Sequence, residues 1–251
     1  MLIIQATFKN VKTEVKKVNT SKKAAVIAGV LFIIATAAAL LSMAFLKPIN
    51  ASNYLVSVSA NGNQVATGIL LAFIAAAASA SVAISLYPIL RKYNEGLALG
   101  AVGFRLIEGV FYIVGVICLL SLFTLSQQFV RAGSPDSSYF QTLGILLLAG
   151  YHWSGNVGSL LAFCLGALMY YYIFYQTKLV PRWLSGWGII GAILCMVAGI
   201  LVMFSVIGPM STGQVVLAIP IGVQEIVLAI WLIVKGFNSP KFTSSVRATK
   251  L

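Results

Sequence analysis

Long apolar stretches alternate with short polar segments along the whole chain. A transmembrane helix needs about 20 consecutive, predominantly apolar residues. Six stretches meet this length, at residues 24–46, 65–90, 97–125, 154–176, 184–207 and 214–235. The pattern predicts an all-α, polytopic membrane protein whose core is a bundle of six transmembrane helices.

The composition supports the same fold class. Of the 251 residues, 60% are hydrophobic and 9% are charged, whereas soluble domains carry about 25% charged residues. So few charges cannot cover a surface in water, and a lipid bilayer is the expected partner. Cys118, Cys164 and Cys195 all fall inside apolar stretches. We therefore expect no disulfide framework, no metal centre and no cofactor.

The basic residues are distributed unequally between the predicted loops. Seventeen Lys and Arg face only five acidic residues, which gives a net charge of +12. Arg105 lies inside a span, and the other sixteen divide into fourteen and two when the segments outside the spans, arm and tail included, are taken alternately along the chain. The richer side is cytoplasmic by the positive-inside rule, which predicts both termini inside and a multi-pass location in the plasma (inner) membrane. Nucleic-acid binding is not expected, because no segment outside the spans is long enough for a basic domain.

The chain divides into a basic N-terminal arm (1–23), the six-helix domain (24–236) and a basic cytoplasmic tail (237–251). The arm has apolar residues at helical spacing with lysines between them: Ile4, Phe8, Val11, Val15 and Val18. Such a pattern predicts an amphipathic helix on an anionic inner leaflet. A flexible basic arm that only fixes the orientation is the alternative.

Residues 139–176 are too long for one span. Four residues at helical spacing, Phe140, Leu143, Leu147 and Tyr151, predict a short helix at the outer surface. A break at residues 150–155, bracketed by glycines, would then turn the chain into the fourth span. The alternative is a re-entrant segment.

Aromatic and small residues suggest interfaces of two kinds. Tyr170, Tyr171, Tyr172 and Tyr175 end the fourth span, as expected for side chains at the membrane–water boundary. Small residues cluster on the second span at 75–81 and recur every four residues on the fourth, from 158 to 166. Such faces allow close helix packing.

Three charged residues lie deep inside predicted spans. Glu225 is at the centre of the sixth span, and Glu108 and Arg105 lie roughly 4–5 Å and about 9 Å from the centre of the third. A charge at the bilayer centre costs at least about 2.5–3.5 kcal/mol, so these side chains must be paired, neutral or turned into the bundle. Arg105 and Glu108 share a helix face and can pair. Glu225 could share a proton with Glu108 or form a bridge to Arg105.

His152 and Asn156 complete the candidate polar pocket, together with Arg105, Glu108 and Glu225. The only histidine, His152, is either an interfacial aromatic beside Trp153 or a proton acceptor at the outer mouth. The sequence contains no HExxH, GxSxG, CxxC or phosphate-binding glycine loop. We therefore assign no catalytic residue, and an enzyme is not the favoured interpretation.

Several short segments resemble the DUF4386 family of prokaryotic membrane proteins. They are residues 87–91 (YPILR), 103–108 (GFRLIE), 179–184 (LVPRWL) and 225–236 (EIVLAIWLIVKG). The resemblance covers about residues 22 to 236 and implies a multi-span protein without a characterised function. It includes Arg105, Glu108 and Glu225 but assigns none of them a role.

Three functional hypotheses follow. The first is a carrier or sensor, for a small molecule or linked to protons, with a polar pocket near the midplane. The second is a structural or partner-binding membrane protein whose charges only pair in a dry core. The third is an intramembrane enzyme acting on lipid, with His152 and Asn156 in its site. The sequence leaves the ligand and the oligomeric state open.

Overall fold

The computed structural model describes residues 2–133 and 138–238, and it describes side chains within residues 21–133 and 139–238. This part of the chain is helical and contains no strand. Its α-helices are α1 (Leu2–Phe45), α2 (Tyr54–Ala60), α3 (Gly62–Leu90), α4 (Glu95–Arg131), α5 (Ser138–Trp153), α6 (Leu160–Thr177), α7 (Arg182–Met203) and α8 (Thr212–Val234). A 3₁₀ turn, Lys47–Asn50, precedes α2, and a π-helical segment, Ser154–Ser159, joins α5 to α6.

In the described part of the chain, six helical stretches are long and apolar enough to cross a membrane, which confirms the predicted fold class. They are Ser21–Phe45, Gly62–Leu90, Glu95–Arg131, Tyr139–Thr177, Arg182–Met203 and Thr212–Val234. The start of the first and the end of the last lie at the same face, which we call the terminal face. The loops at 46–61 and 204–211 lie at the opposite, distal face. The cytoplasmic location of the terminal face stays a prediction.

The spanning helices form a closed ring. Along the chain, α1 packs against α3, α3 against α4, α4 against α6, α6 against α7 and α7 against α8, while α8 returns to α1. Consequently α4 and α8 lie across the ring from one another. A residue that joins them must cross its centre.

Glycines and polar caps set where these helices meet and begin. A Cβ atom on Gly191 of α7 would lie 3.0 Å from the backbone N and Cα of Ile221 on α8, so only glycine permits this approach. The Asn94 side chain accepts a hydrogen bond from the Leu97 N–H (3.0 Å) and starts α4.

An apolar cap extends the bundle at the distal face. The 3₁₀ turn and α2 pack with the long distal ends of α4 and α5, around Leu55, Val58, Leu122 and Phe140. The Tyr54 hydroxyl donates to the Gln141 carbonyl oxygen (3.1 Å). Burial raises the pKa of the Tyr54 phenol, so it keeps its donor proton.

The predicted break between a surface helix and the fourth span is wrong, and so is the re-entrant alternative. The helix runs through residues 150–155 into α6, and the π-helical segment begins at Ser154. Backbone polar groups at membrane depth need partners within the protein, and a π-helical turn supplies them without ending the helix. Gly158, in the π-helical segment, serves the close packing that the small-residue pattern predicts, because a Cβ there would lie 2.5 Å from the Phe111 ring.

The N-terminal arm is helical in its backbone, since α1 begins at Leu2 and continues into the first span. The side chains of the arm lie outside the described residues, so its amphipathic placement on a leaflet stays a prediction. Most of the predicted tail, residues 239–251, also lies outside them.

Candidate functional site

Polar side chains on one face of α4 point toward the centre of the helix ring. Arg105, Glu108 and Tyr112 follow each other at spacings of three and four residues, which places them on the same side of this helix. Arg105 and Glu108 are 2% and 4% exposed. These long side chains point into the bundle because exposing a charge to hydrocarbon costs more than pairing it inside.

Arg105 pairs with Glu108 on its own helix and with a serine on α3. Its Nη1 donates to Glu108 Oε2 (3.1 Å) and to Ser79 Oγ (2.7 Å). The Ser79 hydroxyl in turn donates to Glu108 Oε1 (2.8 Å). Both oxygens of the Glu108 carboxylate are therefore engaged, one by the guanidinium and one by the hydroxyl.

The other terminal nitrogen of Arg105 reaches across the ring. Nη2 donates to Glu225 Oε1 on α8 (3.2 Å) and to the Tyr170 hydroxyl on α6 (2.8 Å). The Tyr170 hydroxyl lies 3.4 Å from Glu225 Oε1 and donates to it. Arg105 thus links two carboxylates through two bridging hydroxyls, and the resulting Arg105 cluster (Ser79, Arg105, Glu108, Tyr170, Glu225) joins four helices.

Aromatic rings shield the guanidinium. Its central carbon lies 4.4 Å from the centre of the Phe163 ring and 5.5 Å from that of Tyr170, distances at which cation–π attraction contributes. Within the described residues, the buried Nε of Arg105 has no hydrogen-bond partner. With the N–H groups of Nη1 and Nη2 engaged and the guanidinium packed against aromatic rings, Arg105 offers little for an anionic ligand.

Aromatic side chains also close the centre of the ring toward the terminal face. Tyr170, Tyr171 and Phe174 are fully buried. The Tyr171 hydroxyl donates to Gln224 Oε1, and Gln224 Nε2 donates to the Leu184 carbonyl oxygen (3.0 Å). The expectation that all four tyrosines of this region lie at the membrane boundary is therefore wrong for Tyr170 and Tyr171, whose hydroxyls satisfy buried polar groups.

A cavity of about 490 Å³ lies on the distal side of the Arg105 cluster. It is surrounded by the distal parts of α1, α3 and α4, by α5 with the π-helical segment, and by the loop before α8. Its lining consists of Ala39, Ser42, Met43, Leu46, Ile49, Asn50, Ala72, Phe111, Tyr112, Gly115, Val116, Leu119, Tyr151, His152, Ser154, Gly155, Asn156, Pro209 and Met210. No Lys, Arg, Asp or Glu is among them.

Several polar groups of the lining, within the described residues, are free to form a hydrogen bond with a ligand. Among the described residues, the hydroxyls of Tyr112 and Tyr151 and the ring nitrogens of His152 make no hydrogen bond. Asn156 is occupied: its Oδ1 accepts from Gln214 Nε2 (3.1 Å) and its Nδ2 donates to the His152 carbonyl oxygen (3.1 Å). The cavity therefore combines an apolar wall with a few free hydrogen-bonding groups.

The five sequence-derived pocket residues divide into two groups. Arg105, Glu108 and Glu225 meet at the centre of the ring, where the Arg105–Glu225 bridge is formed in addition to the Arg105–Glu108 pair. His152 and Asn156 line the cavity instead. Tyr112 connects the two places, because it lines the cavity and lies one helical turn beyond Glu108 on the same face of α4.

Sequence reasoning missed Ser79, Tyr170 and Tyr112 as members of these sites. The sequence pattern places Ser79 in a cluster of small packing residues and predicts that Tyr170 is an interfacial aromatic. The spacing of Tyr112 from Glu108, four residues on one helix face, was an available signal. In the part of the chain that the structure describes, no group of three His, Cys, Asp or Glu side chains could hold a metal ion.

Comparison with known proteins identifies a family and no function. The family model described as "Domain of unknown function (DUF4386)" matches residues 27–236, most of the chain. No curated protein matches the sequence. No solved structure matches it either.

Proposed function

The chain belongs to the DUF4386 family, whose description assigns no activity, and we propose from its geometry that it is a carrier or sensor of a neutral small molecule. The ligand is largely apolar, carries one or two hydrogen-bonding groups, and occupies the distal cavity. The observation that carries this proposal is the cavity itself, which lies inside a six-helix membrane protein and whose lining includes Tyr112, one turn of α4 beyond Glu108.

The residues that line the cavity indicate that its ligand is neutral and mostly apolar. Ligand pockets typically measure about 300–1,000 Å³ and combine an apolar wall with a few polar groups, and the cavity fits this description at about 490 Å³. A charged ligand would lose its hydration without meeting an opposite charge from an acidic or basic side chain, since no Lys, Arg, Asp or Glu lines the cavity. The free hydroxyls of Tyr112 and Tyr151 suit a ligand with an alcohol, ketone or ester group.

Because aromatic side chains block the terminal side of the helix ring, we expect the ligand to enter the cavity from the distal face. The buried aromatic side chains of Tyr170, Tyr171 and Phe174 fill the centre of the helix ring on the terminal side of the Arg105 cluster. A carrier would have to move these rings to release a ligand on that side, whereas a sensor would only need to report occupancy to the cluster. Both belong to the proposal.

Binding of a matched pair of probes tests the proposal. Purified protein in detergent is titrated with dodecanol or dodecanoate, and its thermal unfolding is followed. We expect the neutral alcohol to raise the unfolding temperature in a saturable way and the carboxylate to have little effect. Substitution Ala39→Phe places a ring in the cavity and should abolish the effect of the alcohol.

The control is Leu40→Phe, on the neighbouring position of α1, where the side chain is 62% exposed and faces away from the cavity. This variant should respond to dodecanol as the wild type does. Equal responses of the Ala39→Phe variant and the wild type, or equal effects of the alcohol and the carboxylate, would contradict binding of a neutral ligand in the cavity.

A structural role is the second candidate, and the Arg105 cluster favours it. Its hydrogen bonds connect α3, α4, α6 and α8, so it stabilises the ring whether or not the cavity is occupied. A protein that responds to no neutral probe, yet unfolds when the cluster is disrupted, would fit this role. The enzyme hypothesis gains no such support, because His152 and Asn156 line the cavity without either glutamate.

A further inference from the structure

The Arg105 cluster has an unequal number of positive and negative groups. One guanidinium, which stays protonated in proteins, faces the carboxyl groups of Glu108 and Glu225. With both carboxyls ionised the cluster has a charge of −1, and with one additional proton it is neutral. A net charge in the middle of a bilayer is costly, so the neutral state is favoured.

The other titratable groups near Glu225 do not supply the missing positive charge. Besides Arg105 and Glu108, the titratable groups around it in the described part of the chain are Tyr112 on α4 and Cys164, Tyr170 and Tyr171 on α6, and Cys195 on α7 lies next to Cys164. Phenols and thiols are neutral near pH 7 in their ordinary state. On the described part of α1, which also packs against α8, the titratable residues are Lys22 and Lys23 at the terminal end.

The two carboxyl groups differ in how their oxygens are used. Glu108 accepts hydrogen bonds on both Oε1 and Oε2, so a proton on either oxygen would displace a donor. Glu225 accepts on Oε1 alone, and its Oε2 has no hydrogen-bond partner among the described residues. Glu225 is also more accessible, since its side chain is 13% exposed compared with 5% for Glu108.

We propose that the cluster is a binding site for a single exchangeable proton, carried on Oε2 of Glu225, while Glu108 remains ionised as the counter-ion of Arg105. The Glu225 carbonyl oxygen is then Oε1, which keeps its hydrogen bonds from Arg105 and Tyr170. Loss of the proton returns the cluster to −1 and strengthens the attraction between α4 and α8. This site does not depend on the identity of the cavity ligand.

Infrared spectroscopy tests where the proton is. The protein is measured near pH 7 in an ester-free detergent, and the carbonyl stretch of a protonated carboxylic acid is recorded for the wild type and three variants. We expect one such band in the wild type and none in Glu225→Gln. Tyr170→Phe should shift the band, because it removes a donor to the Glu225 carbonyl oxygen, whereas Ser79→Ala should leave it in place.

The pattern of these shifts decides the assignment. A shift in Ser79→Ala would place the proton on Glu108, or share it between the two groups, and would overturn the proposal. Absence of the band from the wild type would do the same.

A stability comparison gives an independent test that does not require Tyr170→Phe to fold. Gln has the shape of a protonated Glu and is neutral. Glu225→Gln should therefore unfold at or above the wild-type temperature, whereas Glu108→Gln should unfold below it, because it removes the ionised partner of Arg105. Equal effects of the two substitutions, or the reverse order, would overturn the assignment.

Discussion

Replacing Arg105 by Met removes the positive charge of the cluster and keeps a side chain of similar length. Glu108 and Glu225 then remain buried without a counter-charge. The hydroxyls of Ser79 and Tyr170 keep their bonds to the carboxyl groups, so the cost falls on the carboxyls themselves. With one of them already protonated, the second must also bind a proton for the cluster to stay neutral.

The cost of that second proton follows from the ordinary titration of Glu. Keeping a carboxyl neutral at pH 7, when its ordinary pKa is about 4.3, costs about 1.4 kcal/mol for each of roughly 2.7 units, or about 3.7 kcal/mol. This value lies within the ~3–5 kcal/mol found when one partner of a buried ion pair is removed. At pH 5 the same calculation gives about 1 kcal/mol.

The pH dependence separates this effect from a loss of packing. The folded variant holds one more proton than the folded wild type, while their unfolded chains titrate alike. The free energy of unfolding of the variant therefore falls more steeply as pH rises, by about 1.4 kcal/mol per pH unit more than that of the wild type between pH 5 and 7. Unfolding by sodium dodecyl sulfate in mixed micelles, followed by helix content, measures both slopes.

Two control variants show whether the effect comes from the positive charge of Arg105. Arg105→Lys retains the charge and should keep the wild-type pH slope, even if it loses hydrogen bonds. Arg91→Met removes an arginine at the terminal face, where the exposed guanidinium lies 5.7 Å from the centre of the Tyr87 ring, and should change the free energy of unfolding little. A difference between Arg105→Met and the wild type that stays below about 1 kcal/mol at pH 7, or does not vary with pH, would refute the reasoning.

Two further predictions concern packing at other places. Gly191→Val should lower the free energy of unfolding by about 1–3 kcal/mol, because its Cβ would meet the Ile221 backbone at 3.0 Å; Gly186→Val, with its nearest neighbour at 3.7 Å, should cost less in the same micelle assay. Tyr54→Phe removes the hydrogen bond to the Gln141 carbonyl in the distal cap and should cost about 0.5–1.5 kcal/mol, and an unchanged unfolding curve would argue against that contact.

Much of the fold could be predicted from the sequence because its causes are local along the chain. The length of each apolar stretch is set by the thickness of the bilayer, and helices are required because the backbone must satisfy its own hydrogen bonds. That Arg105, Glu108 and Glu225 must be paired, neutral or turned into the bundle could also be predicted from each helix alone, because a charge in an apolar stretch is costly. These arguments require no knowledge of which helices are neighbours.

The errors came from applying local rules where a distant contact decides. Gly150 and Gly155 predict a break, yet the helix continues through both, and a Cβ at Gly150 would lie 2.9 Å from the Cys118 Sγ of α4. Tyr170 has the composition of an interfacial residue, yet it binds Arg105, which is 65 residues away. No pattern within one helix carries this information.

The sequence by itself determined six membrane-crossing helices and which of their polar side chains need partners. Only the tertiary structure decided that α4 and α8 face each other across a ring, that Glu225 reaches Arg105, and that His152 and Asn156 line a cavity whose lining includes neither glutamate. The physical reason is that lipid chains and protein interiors are equally apolar. The hydrophobic pattern of a spanning helix therefore does not reveal which side faces its neighbours. That side is decided by the packing of small residues and by the contacts of buried polar groups.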